Sequence, residues 1–480
     1  MHHRATSPAD RIPVRQKLVY GLGAFVNNLL AAASGGMMIV LNLGLGMNPA
    51  LVGLLGAIPR LTDAFTDPIM GYISDNTRSR WGRRRPYIFA GAIASGLTFA
   101  LLWHLPEGRS ESFYFWYFMI GSIIFYLAYT VFATPWVALG YELTPDYHER
   151  TRLMGVQNFM GQIAYVVAPW FLLFMQSEAI FDDMVDGAAG LAVIVAIVVA
   201  AVGVLPALFL RERFRDLAVE EAREHRPTVV GSALASNLAG FFRGCSVTLR
   251  SKPFLKLCLA TFLVFNGFML VSSFQFYVII YYVFGGDMVR GAEYAGWAGT
   301  VQSIASFLVI ALVTWLGTRI GKKRAFYFAV GVSMLGYALK WVCYDPEIPW
   351  LVVLPAPLLA FGLGGLFTIM PSMIADVVDL DELHTHERRE GMYGSIFWWV
   401  VKLGMAAALA AGGFLLNATG FDVALGGHQS ASAITLMRLF DAFLPFLASG
   451  VAIWAIATFS ITEERAHEVR LKLEARRGKV

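Results

Sequence analysis

Long apolar runs separated by shorter polar connections recur along the whole 480-residue chain. Twelve are read, at about 18–45, 50–74, 87–105, 113–140, 153–176, 188–210, 254–284, 294–318, 325–344, 350–375, 392–417 and 434–460. Each comes close to or exceeds the ~20 residues that an α-helix needs to cross a hydrocarbon layer. Backbone amides in lipid must be satisfied within helices or closed barrels, and these runs are too long and continuous for barrel strands. The pattern therefore predicts an all-α polytopic membrane protein with twelve transmembrane helices. Its longest polar connection, Arg211 to Lys252, falls between the sixth and seventh runs. The expected organisation is a six-helix bundle over 1–212, a cytoplasmic middle loop over 213–253, and a second six-helix bundle with a cytoplasmic tail over 254–480.

Composition strengthens this picture: 57% of residues are hydrophobic, 15% are charged, and mean hydropathy is +0.58. The net charge of +4 reads as topology, not nucleic-acid binding, because the basic residues lie between apolar runs. Arg78 to Arg85, Arg150, Arg152, Arg211 to Lys252, Arg319 to Arg324, Arg388, Arg389 and the tail from Arg465 fall on one side. Arg109 and Arg290 fall on the other, among Glu178, Asp182, Asp183, Asp186, Asp345 and Glu347. By the positive-inside rule both termini and the middle loop are cytoplasmic. Cys245, Cys258 and Cys343 have no metal or disulfide spacing. The polar start leads into a run too long for a signal-peptide core, so that helix is expected to stay.

The halves echo each other. Trp81-Gly82-Arg83-Arg84-Arg85 follows the second run, and Gly317-Thr318-Arg319-Ile320-Gly321-Lys322-Lys323-Arg324 follows the eighth. Glu149-Arg150-Thr151-Arg152 precedes the fifth run, and Glu387-Arg388-Arg389-Glu390 precedes the eleventh. Two echoes at corresponding places indicate pseudo-symmetric bundles, the arrangement of carriers that place their site between repeats.

The second run holds Arg60, Asp63 and Asp67, and leaves the membrane at Asp75 into the arginine cluster. Ionised groups inside a bilayer are costly and are functional candidates by default. Their spacing puts Asp63 and Asp67 on one helix face, with Arg60 a turn earlier. Pro59 and Pro68 predict a bend beside both acids. Two carboxylates on one face can share one small cation through oxygen ligands. Lys402 sits mid-span in the eleventh run. These charges would also suit a structural network that only fixes helix packing. Their equivalent depth in opposite halves favours a site of cation-coupled alternating access.

Neutral groups then supply the substrate contacts. Asn28, Tyr129, Trp136, Asn158, Gln162, Trp398 and Trp399 are the candidates, with Asn27, Tyr126, Thr130, Thr134, Gln157, Asn266 and Gln275 as further polar positions. Taken singly, each is more often a packing residue than a ligand. A cytoplasmic gate is expected from Asp75, Arg83, Arg84, Arg150, Asp376, Asp379, Arg388 and Arg389, the acids pairing with neighbouring arginines. The His384-Thr385-His386-Glu387 cluster lacks helical metal-ligand spacing, and Gly362-Leu363-Gly364-Gly365 lacks the Lys-Ser/Thr of a phosphate loop.

Two long motifs, DAFTDPIMGYISDNTRSRWGRRRPYI from Asp63 and ADVVDLDELHTHERREGMYGSIFWWVVKLG from Ala375, resemble those of the glycoside-pentoside-hexuronide:cation symporters. These are the melibiose permease-like members of the major facilitator superfamily. The resemblance extends over essentially the whole chain. It implies twelve helices in two bundles, coupling to Na+, H+ or Li+, and no other cofactor. It assigns Asp63 and Asp67 to the cation site, with Na+ as the candidate metal, and Lys402 to the eleventh-helix lysine of the charge network with Arg60. It also shows a departure. The family's first-helix aspartate, fourth-helix aspartate and fifth-helix arginine are Asn28, Ala133 and Asn158 here. A galactoside site built on two carboxylates and a guanidinium is missing, which leaves the substrate open.

The expectation is a symporter importing a small solute, foremost a sugar or glycoside, as a monomer in the inner or plasma membrane. Import of an amphipathic, lysolipid-like substrate and proton-coupled export are the alternatives in the same architecture. No nucleophile triad or metal set points to an enzyme, and no sizeable extramembrane domain points to a sensor.

Overall fold

The computed structural model describes residues 11–77, 79–106, 108–144, 147–212, 248–385 and 390–477, with some side chains inside helices left out. By internal contacts the chain forms two compact units, Met1–Leu234 and Ala235–Val480. The first contains the long helices α1 (Val14–Gly36), α2 (Pro49–Asn76), α3 (Arg85–Trp103), α4 (Glu111–Glu142), α5 (Tyr147–Val167) and α6 (Met184–Gly203). The second contains α7 (Lys252–Tyr277), α8 (Met288–Ile320), α9 (Lys322–Cys343), α10 (Ala356–Thr385), α11 (Glu390–Ala418) and α12 (Ala431–Ala457), followed by the tail helix α13 (Glu463–Arg477), which packs on α10.

Eleven helices among the described residues are long and apolar enough to cross a membrane. The one long helix of the twelve outside that set is α2, which carries Arg60, Asp63, Asp67 and Asp75. It runs without interruption through Pro59 and Pro68, and the Pro59 carbonyl accepts a hydrogen bond from the Thr62 hydroxyl at 2.5 Å.

Sequence dictates where several helices begin. Asn48, Ser110, Asp183, Asp287 and Ser430 accept hydrogen bonds from backbone N–H groups in the first turns of α2, α4, α6, α8 and α12. These groups have no partner within the helix, and a short polar side chain satisfies them. All five caps stand at the ends predicted to face outward.

The two units use the same internal scheme. In the first, α1 packs on α5 and α6, α4 on α2 and α3, and α3 on α6. In the second, α7 packs on α11 and α12, α10 on α8 and α9, and α9 on α12. Each pairing recurs six helices later. Close approach of equivalent pairs depends on small residues. A Cβ on Gly91 of α3 would lie 2.4 Å from the Phe132 nitrogen of α4, and one on Gly365 of α10 would lie 2.4 Å from the Ala329 Cβ of α9.

The α9–α12 contact carries a buried ion pair, Lys340 Nζ to Asp441 Oδ1 at 2.6 Å, with each side chain at most 2% exposed. The Lys340 ammonium also lies 5.1 Å from the centre of the Tyr344 ring. Both charges sit in apolar runs, as Asp63 does. Removing one partner of a buried pair leaves an uncompensated charge and costs ~3–5 kcal/mol, whereas replacing both with apolar groups can be neutral. Asp441→Asn is therefore expected to lower the unfolding temperature of the purified protein sharply. The double variant Lys340→Met, Asp441→Leu should recover most of the loss, as read by thermal unfolding in detergent.

Candidate functional site

In the first unit, α4 presents Tyr126, Tyr129, Thr130 and Thr134 at helical spacing along one side. Thr130 and Thr134 both donate hydroxyl hydrogen bonds to Asp67 Oδ1 of α2, each at 3.2 Å. Thr66 Oγ1 lies 3.3 Å from Thr130 Oγ1. One carboxylate and three hydroxyls thus converge between α2 and α4. Asp63 stands one turn earlier on α2, and its side chain lies outside the described ones.

Toward the start of the same face, the Arg60 guanidinium stacks over Tyr126, 4.6 Å from the ring centre. This is a cation–π contact, stronger where water is excluded. The Tyr126 ring meets Tyr129 edge-on. The Tyr129 hydroxyl donates to Asn27 Oδ1 at 2.7 Å, and Asn27 Nδ2 donates to Asn28 Oδ1 at 3.1 Å. On α5, Gly161 leaves room for Asn28: a Cβ there would be 2.5 Å from Asn28 Nδ2. An uncharged amide and phenol chain therefore links α4 to α1 beside the Asp67 cluster.

The other substrate candidates are distributed unevenly. Trp136 is 2% exposed, stacks on Tyr20 and donates its indole N–H to the Tyr20 carbonyl, so it fills the α1–α4 contact. On α5, Asn158 is exposed and Gln162 is half-buried. In the second unit Trp398 is 55% exposed and stacks on Phe367 of α10. Trp399 and Lys402 are half-buried on the same helix. Asn266 of α7 packs where Gly404 lacks a side chain.

The arginine loop after α2 is held by acids that the sequence pattern did not single out. Glu212, just beyond α6, accepts backbone N–H bonds from Arg83, Arg84 and Arg85 at 2.7, 2.9 and 3.0 Å. Its carboxylate thus occupies the positive start of α3, where unpaired N–H groups and the helix dipole favour an anion. Gly82 makes this possible: its φ is +107°, and a Cβ there would be 2.3 Å from Glu212 Oε2. The Arg83 and Arg84 guanidinium groups both reach Glu142 at the end of α4, at 2.9 Å each. The second unit repeats the approach. Gly321 has φ +84°, and a Cβ on it would be 2.7 Å from Glu463 Oε2, just beyond α12. The next residue, Lys322, pairs with the gate candidate Asp376 at 2.7 Å. Asp379 is half-buried on α10. Arg388 and Arg389 lie outside the described residues, as do the side chains of Asp75 and Arg150.

Glu149, at the start of α5, is 1% exposed and gathers Lys17 Nζ at 2.6 Å, the Ile12 backbone N–H at 3.0 Å and Arg152 at 3.1 Å. Burial pushes its pKa up, but the Lys17 hydrogen bond and charge, the Ile12 N–H and Arg152 outweigh burial and hold the carboxyl below its ordinary range.

Residues 19–463 match the family described as MFS/sugar transport protein. The chain is 26% identical to an uncharacterized symporter of Synechocystis sp., with 98% of each chain covered. It is 23% identical to the isoprimeverose transporter of Lactiplantibacillus pentosus, covering 95% of this chain and 92% of that one. Among solved structures it resembles a bacterial homologue of the human lysosomal transporter Spinster, with TM-score 0.65 and 16% identity over 93% of this chain and 96% of that one. That likeness speaks for the fold.

The Glu149 cluster has a defined pH signature. A carboxyl held below its ordinary value of 4.5 contributes stability above that value and loses it as pH falls through the lowered one. The wild type is expected to exceed Glu149→Gln in stability by about 1–3 kcal/mol near neutral pH, the worth of charged hydrogen bonds. Thermal unfolding from neutral pH down into the acid range should show the gap closing.

Proposed function

The chain belongs to the MFS/sugar transport protein family, and from that membership we propose that it is a cation-coupled symporter of a neutral sugar or glycoside, working by alternating access in the inner or plasma membrane. It is a multi-pass membrane transporter with a small-molecule substrate, not an enzyme. The observation that carries the reading is the oxygen cluster at Asp67, where two threonine hydroxyls of α4 converge on one carboxylate oxygen. Small hard cations take several oxygen ligands. Neutral hydroxyls are useful to a metal ion and unnecessary to a bound proton. Asp63, Asp67, Thr130 and Thr134 are therefore proposed as the ligands of Na+.

A neutral cargo follows from the chain of Tyr129, Asn27 and Asn28. Where the resembled family carries a first-helix aspartate, this network offers amide and phenol groups that both donate and accept, the chemistry that suits sugar hydroxyls. Gln162 and the exposed Trp398 ring are further candidates for contact with the cargo. The isoprimeverose carrier among the relatives supports the sugar class.

Coupling follows from charge. An empty site leaves carboxylates unneutralised inside a low-dielectric span, which makes reorientation costly. A bound cation lowers that cost. The Glu142–Arg83/Arg84 and Lys322–Asp376 pairs are proposed as gate contacts broken and remade in the cycle. The termini are proposed to be cytoplasmic and the carrier to act as a monomer.

Proteoliposomes loaded with potassium and placed in sodium test this with radiolabelled isoprimeverose and related disaccharides. Asp63→Asn and Asp67→Asn are each expected to reduce Na+-driven uptake by at least about tenfold, a loss of ~1.4 kcal/mol or more. Thr134→Ala should raise the half-saturating Na+ concentration about fivefold, as loss of one ligand worth ~1 kcal/mol implies. Uptake that follows a proton gradient and ignores Na+ would overturn the ion assignment. Full uptake in both asparagine variants would overturn the site.

A further inference from the structure

Between the second halves of α3 and the first half of α4, at the end opposite the arginine loop, lies an open cleft of about 750 Å³. It belongs wholly to the first unit and is separate from the Asp67 cluster. Its walls are apolar: Leu101 is 57% exposed, Trp116 61% and Ile120 57%, all within helices long enough to span a membrane. Gly121 sets its floor, since a Cβ there would lie 2.7 Å from Leu102 Cδ1 of α3. The Tyr117 hydroxyl, 2.7 Å from the Leu101 carbonyl and 3.1 Å from the His104 carbonyl, ties α4 to the end of α3 beside it.

The mouth of the cleft is polar and positive. The Arg109 guanidinium lies 5.7 Å from the centre of the Phe113 ring, which lines the cleft. Ser110 and Ser112 are exposed lining residues beside it. Ser110 Oγ accepts the Phe113 N–H and keeps its own O–H to donate. The neighbouring acid Glu111 is turned away onto the Asn48 backbone N–H at 2.6 Å. From Ser110 to Ile124 the cleft follows about 21 Å of helix at ~1.5 Å per residue. One leaflet of a ~30 Å hydrocarbon core is about 15 Å deep. A cationic mouth, an aromatic belt at Trp116 and Tyr117, and an apolar trough of leaflet depth fit an amphiphile standing upright.

We propose that this cleft seats an acyl chain of an outer-leaflet glycerophospholipid, with the phosphate held by Arg109 and the Ser110 and Ser112 hydroxyls. The lipid lies along the α3–α4 seam, apart from the solute proposed as cargo.

Full-length protein in vesicles of phosphatidylethanolamine and phosphatidylglycerol, doped with phosphatidylglycerol bearing a photoreactive acyl chain, tests the assignment. After irradiation, adducts mapped by mass spectrometry are expected to concentrate within residues 98–124. Arg109→Gln, an exposed change, should cut them about fivefold, matching ~1 kcal/mol for one basic residue at a lipid phosphate. Leu101→Trp, which fills the trough and leaves the charge in place, should cut them as far. A photoreactive diacylglycerol without phosphate should label the segment no better than the Arg109→Gln protein is labelled by the phospholipid. Adducts spread evenly over other exposed faces, such as that of Leu308 and Trp315 on α8, would overturn the proposal. So would labelling that is indifferent to Arg109.

Discussion

A charge inside a hydrocarbon layer has no water to solvate it, so the protein must supply the solvation. Much of this molecule's polar architecture meets that demand. Asp67 is met by two threonine hydroxyls, Arg60 by a tyrosine face, and Lys340 by Asp441. The solutions differ in strength. The lysine–aspartate pair is fully desolvated and mutually neutralising, which suits a permanent strut. Hydroxyls bonded to one carboxylate oxygen leave the acid's charge in place, which suits the cation ligand proposed for Asp67.

Much of the fold was legible because a spanning helix writes itself as one long apolar run. The run at 50–74 became α2, and the run at 434–460 became α12, with ends shifted by a few residues. Duplication was legible from the two echoed loops, and the recurring helix pairings give it a physical form. The pairing partners were not legible. Glu212 meets Arg83 across 129 positions, and Lys340 meets Asp441 across 101. No local spacing encodes such contacts. Lys340 and Asp441 at least carried the same signal as Asp63, an ionisable residue within an apolar run. Glu212 looked like one more acid in a polar connection.

The candidate site shows the same division. Asp67 stood out by charge. Thr130 and Thr134 stood in the sequence as two of many polar residues in a span. Their joint meaning came from helical phase, which brings both to the α2 side of α4. Trp136 illustrates the reverse: an aromatic in a span suggested a ring for stacking on cargo, yet Gly23 opposite it gives that ring a place in the helix contact itself.

The Glu212 anchor grips the α2–α3 loop by its main chain, through three consecutive backbone N–H groups. An anchor of that kind is blind to side-chain identity. Exchange of arginine for lysine at these positions would leave the anchor itself intact and change only the side-chain contacts, those of Arg83 and Arg84 to Glu142 among them. The glycine before them has no such freedom. Selection can thus retune the charge chemistry of this end of the carrier step by step, while one backbone conformation stays as the fixed point around which the tuning occurs.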